Sequence, residues 1–167
     1  MVEKDTIIKE AVKFAGIADF KEVYRHANEW LKEEEFSMSE ENYVEKVAGD
    51  SKDIEIVWTA SRILTDYYKI ALGIKWRILG MTNVEAEIDG KKMEMNKFVE
   101  LKIETKGVLV KDYDNKWEKT RLWKFLKETY QKYIIPGRTK EKEKQVEAVV
   151  QEFKEEMKAF LALTGKK

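Results

Sequence analysis

Between Tyr68 and Ile78 every second residue is apolar: Tyr68, Ile70, Leu72, Ile74, Trp76 and Ile78 alternate with Lys69, Ala71, Gly73, Lys75 and Arg77. Successive side chains of an extended chain point to opposite sides, so this segment has one apolar face and one wet face. The period recurs upstream, where Ile54, Ile56, Trp58 and Ala60 oppose Glu55, Thr59 and Ser61. It recurs downstream, where Val99, Leu101, Ile103, Thr105 and Leu109 oppose Glu100, Lys102, Glu104 and Lys106. Val84, Ala86 and Ile88 lead into Asp89-Gly90, a dipeptide suited to a two-residue hairpin turn, and Met93 and Met95 resume the alternation. Such one-sided strands belong to an antiparallel sheet with one face covered; a parallel doubly wound sheet would show continuous apolar runs between helices. The link 61–67 holds neither Gly nor Pro and reads as an irregular turn or a bulge.

Helical patterns flank the strands. Ile7, Ile8, Ala11, Val12 and Phe14 predict a helix over residues 3–15. A second is predicted over 19–35, where Asp19 is placed to cap, Glu22 completes a capping-box spacing, and Val23, Ala27, Trp30 and Leu31 form the apolar stripe. Residues 119–134 and 139–163 predict two more, broken at Pro136-Gly137. Val146, Val150, Phe153, Met157 and Phe160 make a seam on the last, widened by Val149 and Leu161, fit to pack on a sheet, on another helix or on a second copy. The expected fold is α+β, one domain over 1–167. Helices lie in 3–35, a four- to five-stranded antiparallel sheet in 53–110, and helices in 119–163, with the sheet's apolar face covered by the N-terminal helices and the long C-terminal helix.

Composition closes several routes to chemistry. No Cys means no disulfide framework, zinc ribbon, iron–sulfur cluster or thiol nucleophile. The only imidazole, His26, lies mid-helix, where it is either a general base or metal ligand or an ordinary residue near the helix surface. Neither GxGxxG nor GxxxxGK[ST] occurs. Asp112-Tyr113-Asp114-Asn115 opens like a calcium loop, but Trp117 and Trp123 occupy the positions that need Gly and Glu. The sequence thus names no catalytic residue, no metal ligand and no cofactor. No apolar run of about 18 residues predicts a transmembrane segment, and MVEKDTIIKE lacks a signal-peptide core, so a cytoplasmic protein is expected. Charged residues make up 38 % of the chain, dominated by Lys and Glu, a balance resembling proteins of hot environments. Charges on the wet face of the sheet are expected to pair with opposite signs across strands.

With 32 Lys+Arg against 32 Asp+Glu, only local patches can recruit a charged partner. Residues 116–138 carry seven bases and two acids among five aromatic side chains. Trp117, Lys119, Arg121, Lys124, Lys127, Lys132 and Arg138 are the candidate binding residues there, for an anionic surface that is either nucleic acid or membrane lipid. Residues 26–55 carry ten acids and three bases, and this acidic patch opens head-to-tail association as a further option. A protein partner or a homodimer through the C-terminal helix is a separate expectation. The preferred reading is a non-catalytic binding or interaction module. The alternative is a carrier of a lipid-like small molecule, with Trp58, Trp76, Phe153, Met157 and Phe160 walling a cavity between sheet and C-terminal helix. An enzyme of unrecognised type is a third reading. Finally, WLKEEEF, YYKIALGIKWRILGM, VKDYDNKWEK and LKETYQKYIIPGR resemble segments of small uncharacterised archaeal proteins rich in Lys and Glu, a likeness that implies archaeal origin and carries over no site residue.

Overall fold

The computed structural model describes residues 2–111 and 135–165. Five antiparallel strands form one sheet: β1 (Glu3–Ala18), β2 (Ser37–Ala48), β3 (Ser51–Ile63), β4 (Tyr68–Ile88) and β5 (Lys91–Lys111). Their spatial order is β1-β5-β4-β3-β2. Strands β2 to β5 run as a meander, and β1 docks on the far edge of β5. Helix α1 (Phe20–Glu33) links one edge strand to the other, and helix α2 (Ile135–Thr164) lies over β1 and β5.

Both helices cover the same face, which we call inner. The alternation of β4 places Tyr68, Ile70, Leu72, Ile74, Trp76 and Ile78 there, all buried. Helix α1 starts where the Asp19 carboxylate accepts the amide of Lys21 at 3.1 Å, as the capping pattern predicts. It lays Val23, Ala27 and Leu31 on the sheet. Tyr24 packs edge-on to Trp58 at 4.8 Å, and Phe20 does the same to Trp76 at 6.2 Å. The α2 seam of Val146, Val149, Val150, Phe153, Met157 and Leu161 is buried in the same core, so the sheet of this chain takes it up. Gly107 sets how close α2 comes, because a Cβ there would sit 2.7 Å from methyl groups of Val146 and Val150.

Three expectations are corrected. Residues 3–15 are not helical but form most of β1. An extra residue at Ile7 makes a bulge against β5, so Ile7 and Ile8 stand side by side, and this mimics a helical stripe. The sheet, expected over 53–110, begins earlier: the residues after Phe36 form β2, which pairs with β3 on one side only and is almost wholly exposed. The segments read as separate strands at 68–78, 84–88 and 93–109 are two continuous strands joined at Asp89-Gly90, whose φ values of 52° and 79° fit the expected hairpin turn.

These two long strands also change parity. Ile78 and Met81 both face inward, as do Leu101 and Phe98, so each strand carries one extra residue relative to its outer neighbour, β3 or β1. The extra residues lie together. Gly80 takes φ 60° and gives its amide to the Asp53 carboxylate at 2.9 Å, while Val99 is expelled to 72 % exposure instead of lining up with Leu101. Beyond this point Val84, Ala86, Met93 and Met95 lie on the face opposite to the one their simple alternation predicts.

Ionic ties fix the layers. Glu10, on the inner face of β1, accepts from Gln151 at 2.9 Å and Lys154 at 3.0 Å of α2. Those hydrogen bonds hold its carboxyl below the usual carboxylate range. Folding therefore releases a proton from Glu10 in acid. Its contribution is complete above the ordinary carboxylate pKa and is lost as pH falls through the lowered one. Glu10→Gln should flatten that part of the acid unfolding curve, read by circular dichroism. Gly107→Val should overpack the α2 contact and cost about 1–3 kcal/mol, measured by urea unfolding.

Candidate functional site

The face turned away from the helices is built by parity. On β1 the acids Glu3, Asp5 and Glu10 share the inner parity, while Lys4, Lys9 and Lys13 point outward. Two of the three inward acids form salt bridges: Asp5 meets Lys111 at 2.9 Å and Glu10 meets Lys154 at 3.0 Å. Burial pulls the Lys111 ammonium down, but the hydrogen bond and charge of Asp5 outweigh it and hold it above its ordinary range. One strand thus sorts its charges by face.

The outward lysines continue across the sheet. Lys13 stands opposite Lys102 of β5, and Lys102 stands opposite Arg77 of β4, so three cations fall in one row. One row of opposite sign follows, where Glu104 faces Lys75. Lys9 then stands opposite Lys106, and Lys4 opposite Val110, which in turn faces Lys69. Across the rows from Lys4 to Lys13 the outer face of β1, β5 and β4 therefore holds Lys4, Lys9, Lys13, Lys69, Lys75, Arg77, Lys102 and Lys106 against Glu104, and Glu100, opposite Leu79, stands in the next row. Glu55 on β3 faces Arg77, and Glu41 of β2 accepts from the Thr59 hydroxyl at 2.9 Å. Lys102 reaches Glu104 at 3.6 Å. Among the described residues, Lys4, Lys9, Lys13 and Lys106 make no salt bridge.

The expectation of neutralising cross-strand pairs is thus corrected in part: Lys75–Glu104 and Arg77–Glu55 conform, and Lys13–Lys102, Lys102–Arg77 and Lys9–Lys106 do the reverse. Like charges set directly opposite destabilise a sheet. The chain has as many acids as bases to place there, so the rows are not forced by composition.

Beside the cations the face is hollow. A depression of about 570 Å³ is lined by Lys4, Lys69 and Lys106 at one end and by Ser37, Ser39, Thr59 and Ser61 at the other. Ala71 and Gly73 are among its lining, between the two ends. Small side chains on neighbouring strands leave that volume open, and the register crosses it from β1 to β2.

The residues singled out from sequence fall elsewhere. Trp117, Lys119, Arg121, Lys124, Lys127 and Lys132 lie outside the described residues, and Arg138 is exposed on the first turns of α2. The candidate cavity walls Trp58, Trp76, Phe153 and Met157 are buried side chains of the core, with Trp58 and Trp76 rings 5.1 Å apart and Phe153 5.4 Å from Trp30. Phe160 stacks on His26 at 4.1 Å. That imidazole meets Glu156 at 2.9 Å and so joins α1 to α2. Tyr24, hydrogen-bonded to Glu40, is pushed up to about 12 by burial and by that carboxylate, which makes it a structural donor rather than a base. Among the described residues no group of three His, Cys, Asp or Glu is placed to hold a metal. Sequence reading brought together Lys69, Lys75, Arg77, Lys102 and Lys106. It missed Lys4, Lys9 and Lys13 because β1 was read as a helix; their outward spacing on a bulged strand was the available signal.

No protein-family model matches this chain, and comparison with curated proteins and with solved structures returns no match.

The like-charge rows yield a stability prediction. Lys106→Glu converts the Lys9–Lys106 pair into one of opposite sign. It should raise stability at low salt by about 0.2–1 kcal/mol in urea unfolding. The gain should vanish near 1 M salt, where the screening length is about 3 Å.

Proposed function

We propose that this protein is a non-catalytic binding module that holds an anionic partner against the outer face of its sheet. The observation that carries the reading is the placement of cations directly opposite one another, Lys13–Lys102–Arg77 and Lys9–Lys106, in a chain of zero net charge. A surface selected for folding alone gains by alternating its signs; one that meets a polyanion gains by keeping the cations together. The hollow between Lys4, Lys106 and the row of hydroxyls lets such a partner approach the backbone. The basic aromatic stretch 116–138, with Trp117, Lys119, Arg121, Lys124, Lys127, Lys132 and Arg138, belongs to the same proposal as a second contact. A cytoplasmic setting suits it.

Retention on immobilised heparin, a generic polyanion, tests the reading. The protein should bind at low salt and elute as salt rises. Lys9→Glu/Lys106→Glu, which exchanges one like-charge pair for another, should elute markedly earlier while its urea midpoint stays about the same. Failure to bind at low salt, or unchanged elution of the double variant, would sink the proposal.

A further inference from the structure

The cations of the outer face do not converge on a point. From the row of Lys13 and Lys102 to the row of Lys4, four steps of two residues along the strands cover roughly 27 Å, and neighbouring strands lie about 4.8 Å apart. A site for one phosphate brings its donors to a single centre. An array of this extent matches a ligand that repeats its charge along a chain.

We infer that the anionic partner is a single-stranded nucleic acid, laid over β1, β5 and β4 with its phosphates on Lys9, Lys13, Lys102 and Lys106. This rests on the anionic-partner reading above and narrows it to one class. Duplex is disfavoured by shape. The major groove admits a helix or a two-stranded ribbon, whereas this cationic surface is the flat of a five-stranded sheet. A bilayer is disfavoured by the side chains between the lysines. Peripheral membrane binding buries large apolar groups among the headgroups. Here Ala11, Ala71, Gly73 and the half-buried Val108 intervene, Val110 is itself buried, and exposed apolar side chains such as Tyr43, Val44 and Val47 lie on β2 at the acidic edge. A flexible single strand, by contrast, follows a twisted face. The Ser37, Ser39 and Ser61 hydroxyls across the depression are suited to phosphate or sugar oxygens. The described outer positions of β1, β5 and β4 from Lys4 to Lys13 carry no aromatic ring, so base stacking adds nothing on these rows. Binding there is sequence-tolerant and steeply salt-dependent.

Fluorescence anisotropy with labelled oligouridylate and oligothymidylate tests this. Four phosphates neutralised on a single strand predict a log–log salt slope near −2.8, or about a fifty-fold loss of affinity between about 50 and 200 mM salt. Lys9→Glu/Lys106→Glu should roughly halve the slope. Lys140→Glu, an exposed change on α2, should leave it unchanged. Circular dichroism confirms that each variant is folded. Vesicles of phosphatidylserine and phosphatidylcholine, and heparin, run alongside. Equal response to both oligonucleotides supports phosphodiester recognition, and preference for oligouridylate supports it with the sugar hydroxyls taking part. If heparin or vesicles bind and neither oligonucleotide does, the nucleic-acid inference falls and the anionic-partner reading stands. If nothing binds, both fall. If the oligonucleotides bind but the double variant keeps the wild-type slope, the outer face is not the site and the inference is overturned.

Discussion

A side chain on a strand has only two directions to choose from, and in this protein one of them is closed by two helices. Most of the large apolar side chains on β3, β4 and the main run of β5 go to that side, where Trp58, Trp76, Leu101 and Ile103 lie in the core with the buried faces of α1 and α2. The other side carries little of the packing, with Val110 and Met95 its buried apolar side chains among the described residues, and its rows between Lys4 and Lys13 are mostly charged. The charge sorting along β1 follows the same constraint. A carboxylate under α2 must find a cation, as Glu10 finds Lys154, whereas a lysine on the open side is solvated whether or not it is paired.

This separation explains how a chain with no net charge can present a strongly cationic surface. The acids are not missing. They lie on both helices, on the inner parity of β1, and along the β2 edge, where Glu40 and Glu45 flank Tyr43. Packing and the cation rows lie on opposite faces, so the repulsion of Lys9 and Lys106 is borne by a sheet whose stability comes from the other side. The repulsion itself is modest per pair, and a core containing two fully buried tryptophans absorbs it.

Much of the fold was legible because burial writes itself as periodicity. The strong alternation of β4, the Asp89-Gly90 turn, the Asp19 cap and the α2 seam all appear as expected. The edge strands were not legible, and for different reasons. In β1 a bulge beside Ile7 broke the period and left a helix-like doublet. In β2 neither side is buried, so there was no contrast between its faces to read. The site was hidden by a deeper limit. Which lysine stands opposite which is a matter of register between strands far apart in sequence, such as β1 and β5, and no local pattern encodes it. The basic stretch 116–138, conspicuous by composition, lies outside the described residues.

The paired irregularity at Gly80 and Val99 constrains how this chain can vary. Because β4 and β5 gain their extra residue at the same level, they remain in step with each other while both fall out of step with β1 and β3. Losing one residue at this level from β4 alone would set the outer hairpin against its own partner strand. Losing one from each would leave that hairpin paired as before but turn it over, exchanging Asn96, which receives the first amide of α1, for a neighbour of opposite parity. Length changes in descendants of this sequence should therefore come in compensating pairs, or beyond the start of α1, where nothing depends on which side the hairpin shows.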